Sequence, residues 1–237
     1  YFGSSGDLDK EYFESAGLLG RLVAGKGKTC ICGAGRTGLM GAVSDGCIAA
    51  GGKVIGVIPN FMVDRGWCHN SLSEVIITEN IHERKQKMAQ MADAFVALPG
   101  GCGTFEELLE IITWKQLGLH TKPIIILNTK QYYNPLIEML NKAVEEKFMK
   151  QSHSQLWTVA STPEEVLLLV DEIPIFMKKV TDFISQFEFM SEDIIAALQG
   201  FDWKSKIGEF AKTITSGLGS VMDVAVSAVS SVVSVVT

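Results

Sequence analysis

Six short β-rich runs, "KTCICG", "KVIGVIP", "EVIIT", "AFVALPG", "PIIILN" and "LWTVA", recur between Lys28 and Ala160, and most are followed at once by a stretch of helical periodicity. Those stretches are "LMGAVSDGCIAAG", "ENIHERKQKMAQMA", "TFEELLEIITWKQLG", "NPLIEMLNKAVEEKF" and "TPEEVLLLVDE". Several of the runs are continuously apolar rather than alternating, as expected where helices cover both faces of a parallel sheet. Strand and helix in alternation define an α/β chain and predict a doubly wound parallel sheet. Ligands of such sheets lie at the carboxyl ends of the strands, so function is to be sought in the turns that leave them.

With 237 residues, 47% apolar and 20% charged, the chain has enough material for one large core. Its net charge of -6 argues against coating nucleic acid or an anionic membrane, both of which are held by clustered Lys and Arg. A phosphorylated small molecule stays within reach, because a local loop can bind it whatever the global sign. The five cysteines (Cys30, Cys32, Cys47, Cys68, Cys102) are odd in number and lack CxxC spacing, so they read as reduced thiols of a cytoplasmic protein. The four histidines are scattered and none stands at ligand spacing from a cysteine pair, so no metal is expected, and no other cofactor either. The opening "YFGSSGD" reads as the end of a strand and the turn after it, with the strand expected to begin upstream. No signal peptide is visible, and no uninterrupted apolar run reaches the roughly 18 residues of a membrane span.

Three glycine-bearing turns leave strands: "GSSGD" (3 to 7), "GAGRTGLMG" (33 to 41) and "PGGCGT" (99 to 104), and all three are expected on one edge of the sheet. Gly33, Gly35 and Gly38 satisfy the GxGxxG spacing of dinucleotide sites, yet the acidic residue that should close the next strand is missing from "KVIGVIPN". In "PGGCGTFEE" bare backbone precedes a helix starting near Thr104, whose unpaired N–H groups and positive dipole end suit a phosphate cradled by Gly100, Gly101, Gly103 and Thr104. The plain alternative is a tight turn and nothing more. Glu107, three residues past Thr104, also has capping-box spacing, while Glu106 and Glu107 point about a third of a turn apart, so that one can cap and the other look into the loop. A first-turn carboxylate stays ionised and suits the stabilisation of positive charge. "IHERKQKM" (81 to 88) offers Arg84 and Lys85 as phosphate or leaving-group contacts, or else a solvated basic face.

With these pieces in hand the chain resembles the LONELY GUY family, the cytokinin riboside 5′-monophosphate phosphoribohydrolases formerly labelled lysine decarboxylases. The signature PGGxGTxxE stands here as Pro99, Gly100, Gly101, Cys102, Gly103, Thr104, Phe105, Glu106, Glu107. "GLMG" (38 to 41), "VIGVIP" (54 to 59), "HERK" (82 to 85) and "EELLEIITWKQLGLH" (106 to 120) carry the resemblance from Tyr1 to Glu172. It implies a Rossmann-like fold, a homodimer or larger homo-oligomer, and hydrolysis of the N-glycosidic bond of (N6-substituted) adenosine 5′-monophosphates to base and ribose 5-phosphate. Arg84 and Glu107 would form the catalytic pair. Substrate contacts would come from Lys85, Gly100, Gly101, Cys102, Gly103, Thr104, Glu106 and Thr113, with Gly35 and Gly38 from the earlier turn. Glu107 suits the oxocarbenium-like ribose and the incoming water, and Arg84 either orients the nucleotide or offsets charge on the leaving base.

The chain departs from plant-like members at Arg36 and Thr37, which follow Gly33, Ala34 and Gly35 where those members carry three glycines, and at Gly66, where they show a glutamate. Arg36 either adds a phosphate contact or narrows the pocket, and Gly66 removes one expected contact. Cys102, beside a helix N-terminus, is a candidate for oxidation. Residues 1–173 read as the hydrolase domain and 174–237 as a helical extension broken near Gly200, in which Ser220, Asp223, Ser227, Ser230 and Ser234 form a thin polar stripe that needs a partner surface. Two other readings compete: a non-catalytic carrier of a phosphorylated ligand, such as the molybdenum-cofactor carriers, and a scaffold whose tail is the working part.

Overall fold

Parallel pairing throughout follows from the long strand-to-strand crossovers, each of which holds a helix or a long loop. The computed structural model describes residues 1–171. In chain order these form α1 (Lys10–Gly25), β1 (Cys30–Cys32), α2 (Gly38–Ala49), β2 (Val54–Pro59), α3 (Asn60–Asp64), β3 (Glu74–Thr78), α4 (Ile81–Met91), β4 (Phe95–Ala97), α5 (Cys102–Gln116), β5 (Ile124–Leu127), α6 (Asn134–Glu145) and β6 (Thr158–Ala160). Residues 163–171 are helical as well, opened by a side-chain cap in which Thr162 Oγ1 accepts from Glu165 N, while Glu165 Oε2 accepts from Ser161 N just before it. The proposed extension at 174–237, with its stripe from Ser220 to Ser234, lies outside the described residues.

The strands form two three-stranded parallel ladders, β1-β2-β3 and β4-β5-β6. β2 and β5 are central, and every residue of "VIGVIP" and "IIIL" is buried, which is why those runs are apolar without alternation. β3 is at an edge and leaves Val75 and Ile77 partly in solvent. Tyr1–Gly3 runs alongside β4: Tyr1 N donates to Val96 O at 2.7 Å, and Leu98 N donates to Tyr1 O at 2.9 Å. The expected doubly wound α/β architecture is therefore present, with the N-terminal residues taking a place beside the second ladder.

One helix was not signalled by the alternation in the middle of the chain. α1 starts where Asp9 Oδ1 accepts from Glu11 N at 3.0 Å, and it buries Ala16, Leu19 and Gly20. Its glycines allow close contact with α2: a Cβ on Gly20 would lie 2.1 Å from Val43 O, and one on Gly46 would lie 2.2 Å from Gly17 O. Residues 1–142 and 156–170 form one compact unit, and residues 143–155 belong to a second, in which Met149 N donates to Ala143 O at 2.9 Å beyond the end of α6. No helix of the described residues is long and apolar enough to cross a membrane.

Candidate active site

The three glycine turns do meet at the carboxyl ends of β1 and β4. Leu39 N donates to Gly3 O at 2.9 Å, Gly3 N donates to Pro99 O at 3.0 Å, and Thr37 Oγ1 donates to Ser4 O at 3.0 Å. Between them opens a cavity of about 700 Å³, the size range of small-molecule sites.

α4 delivers the cations. Asn80 Oδ1 accepts from Glu83 N at 2.9 Å, and Glu83 Oε2 accepts from Glu79 N at 2.8 Å, so Glu83 is spent on starting the helix. The next two residues turn inward: Arg84 is 9% exposed and Lys85 5%, which rules out the solvated basic face for both. Arg84 Nε donates to Val57 O at 3.0 Å and Nη1 to Glu107 Oε1 at 3.2 Å. The guanidinium occupies the space left by Gly33, where a Cβ would stand 1.7 Å from Nη2. Gly38 has φ +63° and abuts the Ser4 backbone, and a Cβ on Gly35 would stand 2.9 Å from Met40 Sδ. Each glycine of the GxGxxG spacing thus has a local reason to be glycine, independent of any dinucleotide.

α5 delivers the carboxylates, and here the sequence expectation needs correction. The helix starts at Cys102, two residues before Thr104, with Gly101 as N-cap and no side-chain cap. Thr104 is therefore inside the first turn and 3% exposed, no acidic residue lies in that turn, and the Thr104–Glu107 capping box does not form. Without a capping side chain the first-turn amides of Cys102, Gly103 and Thr104 have no intrahelical acceptor, and the helix dipole adds its positive end. Such a helix start has the donors and the field to hold an anion. Glu107 sits in the second turn, and what holds it is the Arg84 guanidinium.

Lys85 and Glu106, each one residue away from the first pair, form a separate cluster. Lys85 Nζ donates to Glu106 Oε1 and, at 3.0 Å, to Glu110 Oε1. Burial alone would lower the Lys85 pKa, but the two carboxylate hydrogen bonds outweigh it and hold the ammonium above its ordinary range. Burial also pushes the thiols of Cys30, Cys32 and Cys47 up, whereas Cys102 is exposed at the cavity.

The cavity is bordered by Arg84, Glu107, Gly35, Gly101, Cys102, Gly103 and Thr104 among the residues expected at the site. Lys85, Gly100, Glu106, Gly38 and Thr113 are not among its lining residues. Thr113 Oγ1 donates to Leu109 O on the exposed side of α5. Arg36, from the departing turn, does border the cavity and is exposed. Sequence reasoning missed the apolar wall, made by Met40, Ile58, Met62 and Trp67. Trp67 is 46% exposed and carries the Arg65 guanidinium 5.1 Å from its ring centroid. The only trace of that wall in the sequence is the Gly66–Trp67 pair in "DRGWCH", a tryptophan set beside a turn glycine whose φ proves to be +70°.

A parallel α/β scaffold with an uncapped helix N-terminus and a buried Arg–Glu pair at its strand ends is an architecture suited to a small anionic ligand. The chain belongs to the family described as possible lysine decarboxylase, whose model matches residues 40–170. Among its relatives is the probable cytokinin riboside 5′-monophosphate phosphoribohydrolase LOGL2 of Oryza sativa subsp. japonica, 42% identical over 172 residues, 73% of this chain and 70% of that one. The cytokinin riboside 5′-monophosphate phosphoribohydrolase LOG2 of Arabidopsis thaliana is 38% identical over 186 residues, 78% and 86% of the two chains. Among solved structures, the molybdenum cofactor binding protein of Rippkaea orientalis is similar with a TM-score of 0.55 at 24% identity, over 73% of this chain and 93% of that one. The molybdenum cofactor carrier protein of Chlamydomonas reinhardtii gives 0.55 at 22% identity, over 71% and 91%. At that identity the likeness is one of fold alone.

Proposed function

We propose that this chain is an N-glycosyl hydrolase that converts adenosine-type 5′-monophosphates, N6-substituted ones included, to free base and ribose 5-phosphate. The observation that carries the reading is the Arg84–Glu107 pair, opening on a cavity that the uncapped start of α5 also borders. The phosphate sits on the amides of Gly101, Cys102, Gly103 and Thr104, with Arg36 and the Gly35 turn across from it. The ribose then lies over Glu107 and the base against Met62 and Trp67. Cleavage of the bond from C1′ to the base nitrogen leaves positive charge on the ribose, which the Glu107 carboxylate stabilises while it orients the attacking water. Water adds its oxygen to C1′, and its proton balances the departing base. Arg84, anchored on the Val57 carbonyl, keeps the carboxylate in place with Nη1.

Lys85 and Glu106 serve the substrate indirectly, by fastening α4 to α5. A homo-oligomer belongs to the same proposal: Leu109 and Leu117 flank Thr113 at four-residue spacing and are exposed, so a second copy would cover this stripe, and any substrate contact of Thr113 would be made there. The proposal places the hydrolase in residues 1–173 with 174–237 as an extension, and places the protein in the cytoplasm, in keeping with five free cysteines. Incubation of the protein with AMP and with N6-isopentenyl-AMP, followed for ribose 5-phosphate and base, tests the reading. Release that disappears in Glu107→Gln supports hydrolysis, whereas tight binding without release from either nucleotide points to a carrier.

A further inference from the structure

β5 runs into a turn, residues 128–134, that contains two consecutive non-glycine residues in the left-handed region, Lys130 at φ 55° and Gln131 at φ 59°. Such backbone is unfavourable for residues with a Cβ and persists where the surroundings over-determine it. Here they do. Lys130 Nζ is held by Asp9 Oδ2 at 2.7 Å and Glu11 Oε2 at 3.5 Å at the start of α1, and Thr129 Oγ1 shares a hydrogen bond with Ser15 Oγ at 3.1 Å. The Asn128 carboxamide accepts from Tyr133 N at 2.7 Å and donates to Asn134 Oδ1 at 2.8 Å.

The strained turn delivers two tyrosines, edge to face with ring centroids 5.2 Å apart, onto the glycine loop. The Tyr132 hydroxyl donates to the Gly100 carbonyl at 2.6 Å, and the Tyr133 hydroxyl donates to the Leu98 carbonyl at 2.7 Å. Phe105, in the first turn of α5, packs against both rings. Neither tyrosine borders the cavity.

We propose that this turn is a clamp that aims the Gly101 amide at a bound phosphate, which makes Tyr132 and Tyr133 positioning residues. The Gly100 carbonyl and the Gly101 N–H belong to one planar trans peptide, so they point in opposite directions. That peptide is flanked by two glycines, whose backbone wells are the widest of any residue, and it is therefore the unit of the loop most free to turn over. Gly101 borders the cavity. Holding the Gly100 carbonyl from the side of Tyr132 keeps the amide on the side of the cavity. Tyr133, 1% exposed, fixes the strand end two residues earlier, whereas Tyr132 is 38% exposed and keeps its ring packing when only the hydroxyl is removed.

The inference rests on the proposed hydrolysis only for its kinetic readout. In Tyr132→Phe the dissociation constant for AMP, measured by calorimetry, is expected to rise about threefold to tenfold, the equivalent of one net hydrogen bond. KM should rise by the same factor, with kcat and the melting temperature unchanged. Unaltered AMP affinity, a loss confined to kcat, a fall in melting temperature that accounts for the loss, or a parent protein that binds no AMP would each overturn the clamp. A parent protein that binds AMP and loses affinity in the variant, yet releases no base, keeps the clamp and removes the hydrolysis. Release of base with the same KM in both proteins does the reverse.

Discussion

Arg84 and Lys85 are neighbours on α4, and Glu106 and Glu107 are neighbours on α5, yet the two ion-pair clusters they form face different surroundings. Successive helical residues are rotated by about 100°, so when Arg84 and Glu107 are turned to the cavity, Lys85 and Glu106 must meet beside it. The cavity pair is enclosed on both sides, with side chains 10% and 13% exposed, and makes one mutual hydrogen bond. The flanking cluster joins a side chain only 6% exposed to carboxylates that are 55% and 27% exposed. The difference teaches that a buried charge is not by itself a sign of chemistry. What singles out Arg84 and Glu107 is that ligand-sized space adjoins them.

The largest expected effect comes from Arg84→Ala, which removes the partner of Glu107 and leaves the Val57 carbonyl unpaired. Base release should fall about 10³-fold, the upper range for loss of one preorganised electrostatic group. Gly33→Ala touches neither charge but would press a methyl group into the Arg84 guanidinium. A displacement on that scale is expected to lower kcat about 10²-fold while the Lys85 cluster stays intact. Loss of stability without loss of rate in this variant would mean that the position of Arg84 is not critical.

Lys85→Met should do the opposite. Denaturant titration is expected to show a loss of about 2 kcal/mol, because two carboxylates lose a charged donor, while kcat changes less than about threefold. The Lys85 pKa is raised in the fold, so its contribution is fully present below the unfolded-state value and is lost as pH climbs through the higher folded-state value. The stability gap between parent and Lys85→Met should therefore hold from neutral pH to about 10 and close above it.

Lys115, further along α5, is the contrasting lysine: burial lowers its pKa to about 8, and no carboxylate partners it among the described residues. Its charged form works against folding below pH 8, and the fold gains stability as pH rises from there towards the unfolded-state value. Lys115→Met should be more stable at pH 7 by about 1 kcal/mol, after solvent screening is allowed for, and the gain should vanish near pH 10.5. A gain independent of pH would show that packing, not charge, is responsible.

The strands were legible because β2 and β5 are covered on both faces and carry unbroken apolar runs. α1 was harder to read, since glycines that serve its contact with α2 dilute its apolar stripe. The start of α5 was misplaced by two residues for a physical reason: its N-cap is a glycine without a capping side chain, so the usual marker is missing. At the site, residue types and spacing marked Arg84, Lys85, Glu106, Glu107 and the glycine loop, and the family resemblance, not the residue pattern itself, picked Arg84 and Glu107 from among them. Which of two adjacent cations and which of two adjacent glutamates faces the cavity depends on how far each helix is rotated about its axis, and that is set by tertiary packing. Ser4, Thr37 and Trp67 reach the cavity from separate turns, a convergence that spacing along the chain does not encode.

The most direct test of the account sets two adjacent carboxylates against each other. Glu107→Gln and Glu106→Gln, assayed side by side under single-turnover conditions with AMP and N6-isopentenyl-AMP, should part sharply: a loss of about 10²-fold to 10³-fold for Glu107 and less than about threefold for Glu106. Equal losses, or a larger one at Glu106, would contradict the assignment of the chemistry to the pair that borders the cavity.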